Sequence, residues 1–272
     1  MIITSPVNEP VSPTVLERWM KCPSYGWLSQ RYQPVGAKLS PYKLLGIVIA
    51  QSLETWLKDL PQPVELIRDT LTDNWPPDLL DWPLDTLIEL ATKGYEKAKR
   101  TLEMALRDEH ILGVELELDK YHTRIDLLTT RENELIVTDH KVHYKYDAKY
   151  ATSNLIQSEV SWQLWDYAYR ASILYNRPVT HIRTHAIYLT PSPKSILHEV
   201  KIDESMIETW HLGAENEWLT WSIVHKMDLK YQTMRTTSCY SRYGRCEFFD
   251  FCWLAQKDET KAQMLYDKKV KR

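Results

Sequence analysis

Three short runs alternate apolar and polar residues: GVELELD (113–119), residues 123–128, and residues 134–143 of RIDLLTTRENELIVTDHKVH. Alternation with a period of two is the mark of half-buried strands. The brief TTREN link makes the last two runs a hairpin. An antiparallel core of this kind must be covered by apolar faces from elsewhere in the chain. Leu, Ile, Trp and Ala recur at helical spacing over 41–60 and 84–110, with Pro and Asp/Asn clusters at 61–63 and 73–83. An amphipathic helix is expected over 153–175, stopped by Asn176–Arg177–Pro178. HIRTHAIYL (181–189) and SILHEVKI (195–202) read as two more strands, and Asp203 as the N-cap of a helix running to about 231. Helices, sheet, helix, strands, helix in that order predict an α/β fold: a mixed central β-sheet flanked by helices. No linker interrupts it, so a single domain over 1–272 is expected. Its parts are a helical portion (1–110), a core (111–202) and a C-terminal helix with a cysteine segment (203–272).

Composition narrows the setting. The longest apolar runs, such as LLGIVIA (44–50), are too short to span a bilayer, and the N-terminus lacks a basic segment followed by an apolar one. A cytoplasmic protein with no membrane partner is the expectation. The net charge of −3 gives no global field for nucleic acid. Locally, Lys120, Arg124, Arg131, Lys141, Lys145 and Lys149 cluster with three histidines against five acids, and the tail after Gln256 is lysine-rich. A solvated surface is the alternative reading of both stretches.

The hairpin carries charges that strands disfavour. Side chains alternate faces, so Val137, Asp139, Lys141 and His143 share one side. Pairing the hairpin brings Asp126 near Asp139, and two carboxylates at that range repel unless a cation lies between them. Oxygen ligands suit Mg²⁺ or Mn²⁺. A lysine beside such an ion can orient a water for attack on phosphorus. Glu115 and Glu117 point to one face, and Glu115 is the preferred third ligand. A surface salt-bridge network is the competing explanation for an isolated D-x-K.

In WQLWDYAY, Gln163 and Tyr167 lie four apart, on one helical face. Taken together, Ile125–Asp126, Asp139–His140–Lys141 and the Gln163…Tyr167 pair resemble the PD-(D/E)XK nuclease superfamily. The closest likeness is to its RecB-like branch, which has a Q-x-x-x-Y motif. The resemblance implies a restriction-endonuclease-like core and a Mg²⁺- or Mn²⁺-dependent deoxyribonuclease, an exonuclease preferring single-stranded DNA. Asp126 and Asp139 would be metal ligands and Lys141 the catalytic lysine, with Gln163 and Tyr167 supporting that lysine and contacting the strand. Recombination or DNA-processing proteins would be its partners. One departure stands out. Family members carry a helix reading roughly G-x-x-x-H-x-x-x-E, and in GIVIAQSLE (46–54) Ala50 takes the histidine's place. The shell would then be completed by Glu115 and water, or metal affinity and catalysis would be reduced. A non-catalytic DNA-binding or assembly subunit is therefore the rival reading.

Cys22 lies in ERWMKCPSYGWL, and Cys239, Cys246 and Cys252 in SCYSRYGRCEFFDFCW. Without a secretory signal, disulfides are not expected. Four thiolates suffice for one site, but the tight C-x2-C pairs usual for zinc are absent. A [4Fe–4S] cluster tolerates wider spacing, and unrelated thiols remain the third option. One cysteine ahead of the core and three behind it resembles the iron–sulfur nucleases related to AddB and to CRISPR-associated RecB-like exonucleases, phage-borne relatives included. That resemblance implies a structural cluster tying the two ends of the chain. Of the eleven tryptophans, Trp162 and Trp165 are candidates for stacking on unpaired bases, though most aromatics read as core. His140 and His143 read as phosphate-side or surface residues.

Overall fold

The computed structural model describes residues 13–34, 41–74, 83–118, 124–144 and 148–224, and toward the C-terminus 239–241, 244–246, 248–249, 252 and 266–268. Lys120, Lys145, residues 225–231 of the expected last helix and, apart from 266–268, the lysine-rich tail after Gln256 lie outside them. In chain order the elements begin with α1 (Pro13–Lys21), α2 (Pro23–Arg31), β1 (Tyr32–Pro34), α3 (Pro41–Leu57), α4 (Pro63–Asn74) and α5 (Leu84–Ala105). Then come β2 (His110–Glu117), β3 (Arg124–Arg131), β4 (Glu134–His143), α6 (Ala148–Glu159), α7 (Trp162–Tyr175), β5 (Val179–Tyr188) and β6 (Lys194–Lys201). The chain continues through α8 (Glu204–Val224), β7 (Tyr240–Ser241), β8 (Gly244–Arg245) and β9 (Tyr266–Lys268). None of the described helices is long and apolar enough to cross a membrane.

Contacts divide the chain into two compact units, one of Lys38–Asp119 with Thr123–Glu208, the other of Met1–Ala37, Lys120–His122 and Thr209–Arg272. The first holds a five-stranded sheet in the order β2-β3-β4-β5-β6. Its pairs are antiparallel except β4 with β5, which run parallel, so the sheet is mixed as expected. The crossover that parallel pairing requires is supplied by α6 and α7. On α3, Leu44, Leu45, Val48, Ile49 and Leu53 form one stripe. On α5, Leu87, Ala91, Tyr95, Ala98 and Leu102 do the same, and both stripes pack with Leu127, Ile187 and Leu189. A second core joins Leu164, Tyr167, Ala168 and Ala171 of α7 to Ile125, Leu128, Leu135, Val137, Val179 and Ile182. The two cores cover both faces of the sheet.

Two elements differ from the sequence expectation. Residues 63–74 form α4, anchored by buried Ile67 and Leu71 between the clusters read as punctuation. The helix expected over 153–175 is two helices. Ser161 is extended (φ −67°, ψ 122°), and Trp165 Nε1 donates to Glu159 O at 2.7 Å, closing the last turn of α6. The stop signal falls where expected, Asn176 adopting the left-handed cap (φ 49°) with Arg177 N bonded to Ser172 O. Asp203 caps α8, its Oδ1 accepting from Met206 N at 2.9 Å.

One end of the sheet is fastened by an ion network. Arg183, only 2% exposed, donates to Glu109 Oε1 at 2.6 Å and Oε2 at 3.1 Å, and its Nε donates to Glu199 Oε2 at 2.9 Å. Thr129 Oγ1 donates to Glu109 Oε2 at 2.8 Å, and Arg131 reaches Glu199 at 2.9 Å. A buried guanidinium is tolerated because Glu109 is buried with it and Glu199 pairs with it from the more exposed side.

In the second unit, β1 pairs antiparallel with β9, so the strand that follows α2 meets the last described segment. Gly26 lies against α1: a Cβ there would meet Trp19 Cα at 2.5 Å. Gly26→Ala must therefore push α1 from α2, and we expect melting to fall by several degrees Celsius, about 1–3 kcal/mol of overpacking, measured by thermal denaturation.

Candidate active site

The registers bring the hairpin acids together. Leu127 pairs with Thr138, so the next step along the ladder sets Asp126 opposite Asp139. Val114 with Leu127 and Leu116 with Ile125 flank Glu115, which stands opposite Asp126. Three neighbouring strands thus present Glu115, Asp126 and Asp139 side by side. Glu115 adopts a left-handed backbone (φ 50°), which breaks strict alternation on β2. Such a conformation costs on the order of 1–3 kcal/mol for a non-glycine residue and tends to occur at functional sites. Glu117, the other glutamate on that strand, is exposed.

Each carboxylate has a different partner. Asp126 Oδ2 accepts from His140 N at 2.7 Å. Asp139, 1% exposed, receives Lys141 Nζ at 2.9 Å on Oδ1 and lies 2.8 Å from it through Oδ2. Arg124 Nε forms an ion pair with Glu115 Oε2. Glu115 Oε2 and Asp139 Oδ2 are buried, their ion pairs with Arg124 and Lys141 falling outside good hydrogen-bond geometry. Burial, followed by the negative charge of Asp126, pushes the Glu115 carboxyl up to about 7. Burial raises Asp139 to about 6, with Lys141 opposing and Asp126 adding to the rise. Asp126 is also raised, burial again leading, partly offset by the hydrogen bond from His140.

Lys141 is held from two sides, its Nζ donating to Asp139 Oδ1 and, at 3.0 Å, to Gln163 Oε1. Gln163 Nε2 in turn donates to Tyr167 OH at 2.5 Å. The break at Ser161 starts α7 just ahead of Gln163, and the 3.6-residue period stacks Tyr167 one turn below it. Tyr167 is 5% exposed, and burial drives its hydroxyl pKa upward, so it stays protonated.

Glu54, noted in the sequence only as the last letter of GIVIAQSLE, is also electrostatically coupled to Glu115 and Asp126. Its i,i+4 pair with Lys58, at 2.7 Å, resembles ordinary surface decoration in the sequence, and that concealed it. His140 overturns its expectation. It faces away from Asp139, and its Nδ1 lies 3.0 Å from Nδ1 of the fully buried His185, whose Nε2 meets Ser195 Oγ at 2.7 Å. Burial lowers His140 to about 4, so it is neutral. His143 stacks on Tyr188 (ring centroids 5.0 Å apart).

The donor set fits a hard divalent ion. It is all oxygen, two of its buried oxygens sit in ion pairs without well-formed hydrogen bonds, and burial raises its carboxyls. Among the described residues no group of three or more His, Cys, Asp or Glu is drawn together tightly enough to hold a metal. Mutual repulsion accounts for this in the carboxylate set, since Asp126, Asp139 and Glu115 each turn to a separate internal donor or cation. Ion binding and proton release are linked through these carboxyls. We expect apparent Mn²⁺ affinity, measured by calorimetry, to rise about tenfold per pH unit between 6 and 7, more steeply below 6 where both carboxyls must lose a proton, and to level off above 7.

The cysteines lie in the second unit and form no disulfide. Cys22 is buried at the α1–α2 junction and Cys239 is buried ahead of β7. Cys246 N donates to Cys239 O at 2.8 Å and Cys252 N to Phe248 O at 3.0 Å. Cys246 and Cys252 pack on a cluster of Trp27, Leu28 and Phe248, so the segment after Cys22 meets the segment carrying the other three.

A mixed sheet with helices on both faces, and a D…D-x-K constellation on a central hairpin, defines the restriction-endonuclease-like nuclease core. The sequence matches the PD-(D/E)XK nuclease superfamily over residues 10–253, and the chain belongs to that superfamily. It is a nuclease by family. No curated protein matches it.

Proposed function

We propose that this protein is a Mg²⁺- or Mn²⁺-dependent deoxyribonuclease of the RecB-like branch, a cytoplasmic exonuclease acting on single-stranded DNA. The chief support is the placement of Lys141 between Asp139 and Gln163, beside Asp126. Asp126, Asp139 and Glu115 would hold the divalent ion, which when bound supplies Lewis-acid stabilisation of the charge growing on the phosphate. Lys141 orients the attacking water, whose oxygen bonds to phosphorus as the bond to the leaving nucleoside oxygen breaks. The attacking water gives up a proton to solvent, and the departing oxygen takes one from solvent. Gln163 holds Lys141 in this orientation, and Tyr167, protonated, holds Gln163. The Lys141 ammonium, together with an ion held by these carboxylates, would form a preorganised electrostatic site for the phosphate. End-labelled single strands in Mn²⁺ test this: progressive loss of label is expected, and intact strands would overturn it.

The same reading treats residues 1–272 as one nuclease domain and gives Cys22, Cys239, Cys246 and Cys252 a structural [4Fe–4S] cluster. Support comes from the packing of Cys246 and Cys252 with Trp27 and Leu28. Protein purified without oxygen should be coloured and carry about four irons per chain if all four thiolates serve. Colourless, iron-free protein from such a preparation contradicts the assignment.

Ala50 favours a second reading, a DNA-binding subunit that cleaves poorly. Tight DNA binding without cleavage, unchanged by Asp139→Ala, would select it.

A further inference from the structure

The cations around the carboxylates are not equivalent. Lys141 is tied to both Asp139 and Gln163. Arg124 has a single ion-pair partner among the described residues, Glu115, and its side chain is 56% exposed against 13% for that glutamate. It sits at the start of β3, two residues before Asp126, and so shares that residue's side of the strand. Its guanidinium meets Glu115 Oε2, a buried oxygen, in a pairing that falls outside good hydrogen-bond geometry. Among the described residues, four carboxylates (Glu54, Glu115, Asp126 and Asp139) face three cations (Lys58, Arg124 and Lys141). A divalent ion turns this balance from one net negative charge to one net positive, which a single phosphodiester neutralises. A guanidinium is also well suited to exchange one oxyanion for another, because its forked donors match carboxylate and phosphate alike.

We propose that Arg124 is an exchangeable counterion: it occupies Glu115 in the metal-free protein, and when a divalent ion takes that carboxylate it turns to a phosphate of the bound DNA strand. The inference rests on the reading of Glu115 and Asp126 as ion ligands. It makes Arg124 a metal competitor and a DNA contact at once, so one substitution must move two affinities in opposite directions.

The test uses the full chain with Lys141→Ala, which leaves the carboxylates in place and spares the strand, with and without Arg124→Gln. Mn²⁺ binding is read by calorimetry without DNA. Binding of a short fluorescent single strand is read in saturating Mn²⁺ across a salt series. Arg124→Gln should tighten Mn²⁺ about two- to fivefold, the effect of removing one partly exposed ion pair. It should weaken the strand about tenfold and flatten the log–log salt dependence by roughly 0.7, one phosphate contact. Arg124→Lys should keep the salt slope. Weaker Mn²⁺ binding in Arg124→Gln, or a salt slope equal to that of the arginine protein, overturns the exchange. Failure of the Arg124-containing protein to bind Mn²⁺ overturns the metal assignment and the exchange together, so the two failures are distinguishable.

Discussion

Asp139→Asn is expected to stop DNA cleavage while making the metal-free protein harder to unfold. The carboxylate is 1% exposed and raised to about 6, chiefly by burial. At pH 8 the fold therefore holds an ionised group in an environment that disfavours charge, at a cost on the order of 2–3 kcal/mol. The amide removes that cost but forfeits the ion pair with Lys141, whose side chain is 39% exposed and returns readily to water. A net gain of about 1–2 kcal/mol should raise melting by about 3–6 °C. Cleavage should fall at least about 10³-fold, as loss of a preorganised electrostatic group at a developing charge requires. Mn²⁺ should raise the melting temperature of the parent protein and leave the variant unmoved. A variant that melts lower and still cuts DNA would show Asp139 to be a structural ion-pair member.

The largest loss of stability is expected far from the chemistry, at Arg183→Met. Methionine approximates the volume of the arginine stem but leaves Glu109, 8% exposed, with one side of its pairing gone. Glu199 loses its strongest donor at the same time, although Arg131 still reaches it at 2.9 Å. Removing one partner of a buried ion pair typically costs about 3–5 kcal/mol, enough here to lower melting by roughly 10 °C or more. Because the network ties Thr129, Arg131, Arg183 and Glu199 across β3, β5 and β6, the loss should be global. Urea denaturation with unchanged slope and a lower midpoint would report it. If Arg183→Met unfolds at the parent midpoint, the network contributes no stability.

Much of the sheet side of this site could be read directly. Asp126, Asp139 and Lys141 were exposed by alternation, because strand geometry fixes which residues are neighbours once the hairpin turn is located. Gln163 and Tyr167 followed from helical spacing. What the sequence hid depends on register between distant segments. Glu109 and Arg183 meet across 74 residues, and each looks ordinary in its own stretch. The break between α6 and α7 carries no Gly or Pro; Ser161 is extended, and a tryptophan N–H closes the preceding turn, a contact that exists only after folding. His140 was misread because alternation shows that it faces away from Asp139 but not that His185 waits there to bury it.

The central claim is that hairpin carboxylates from adjacent strands bind one divalent ion beside Lys141. Crystals of the full chain soaked in Mn²⁺ and measured at the manganese absorption edge address it without relying on turnover. The account predicts an anomalous peak within about 2–2.5 Å of oxygens from both Asp126 and Asp139, the range for hard ions on carboxylates. An ordered hairpin at saturating Mn²⁺ with no peak there, or with Lys141 still bridging Asp139 and a peak elsewhere, would contradict it.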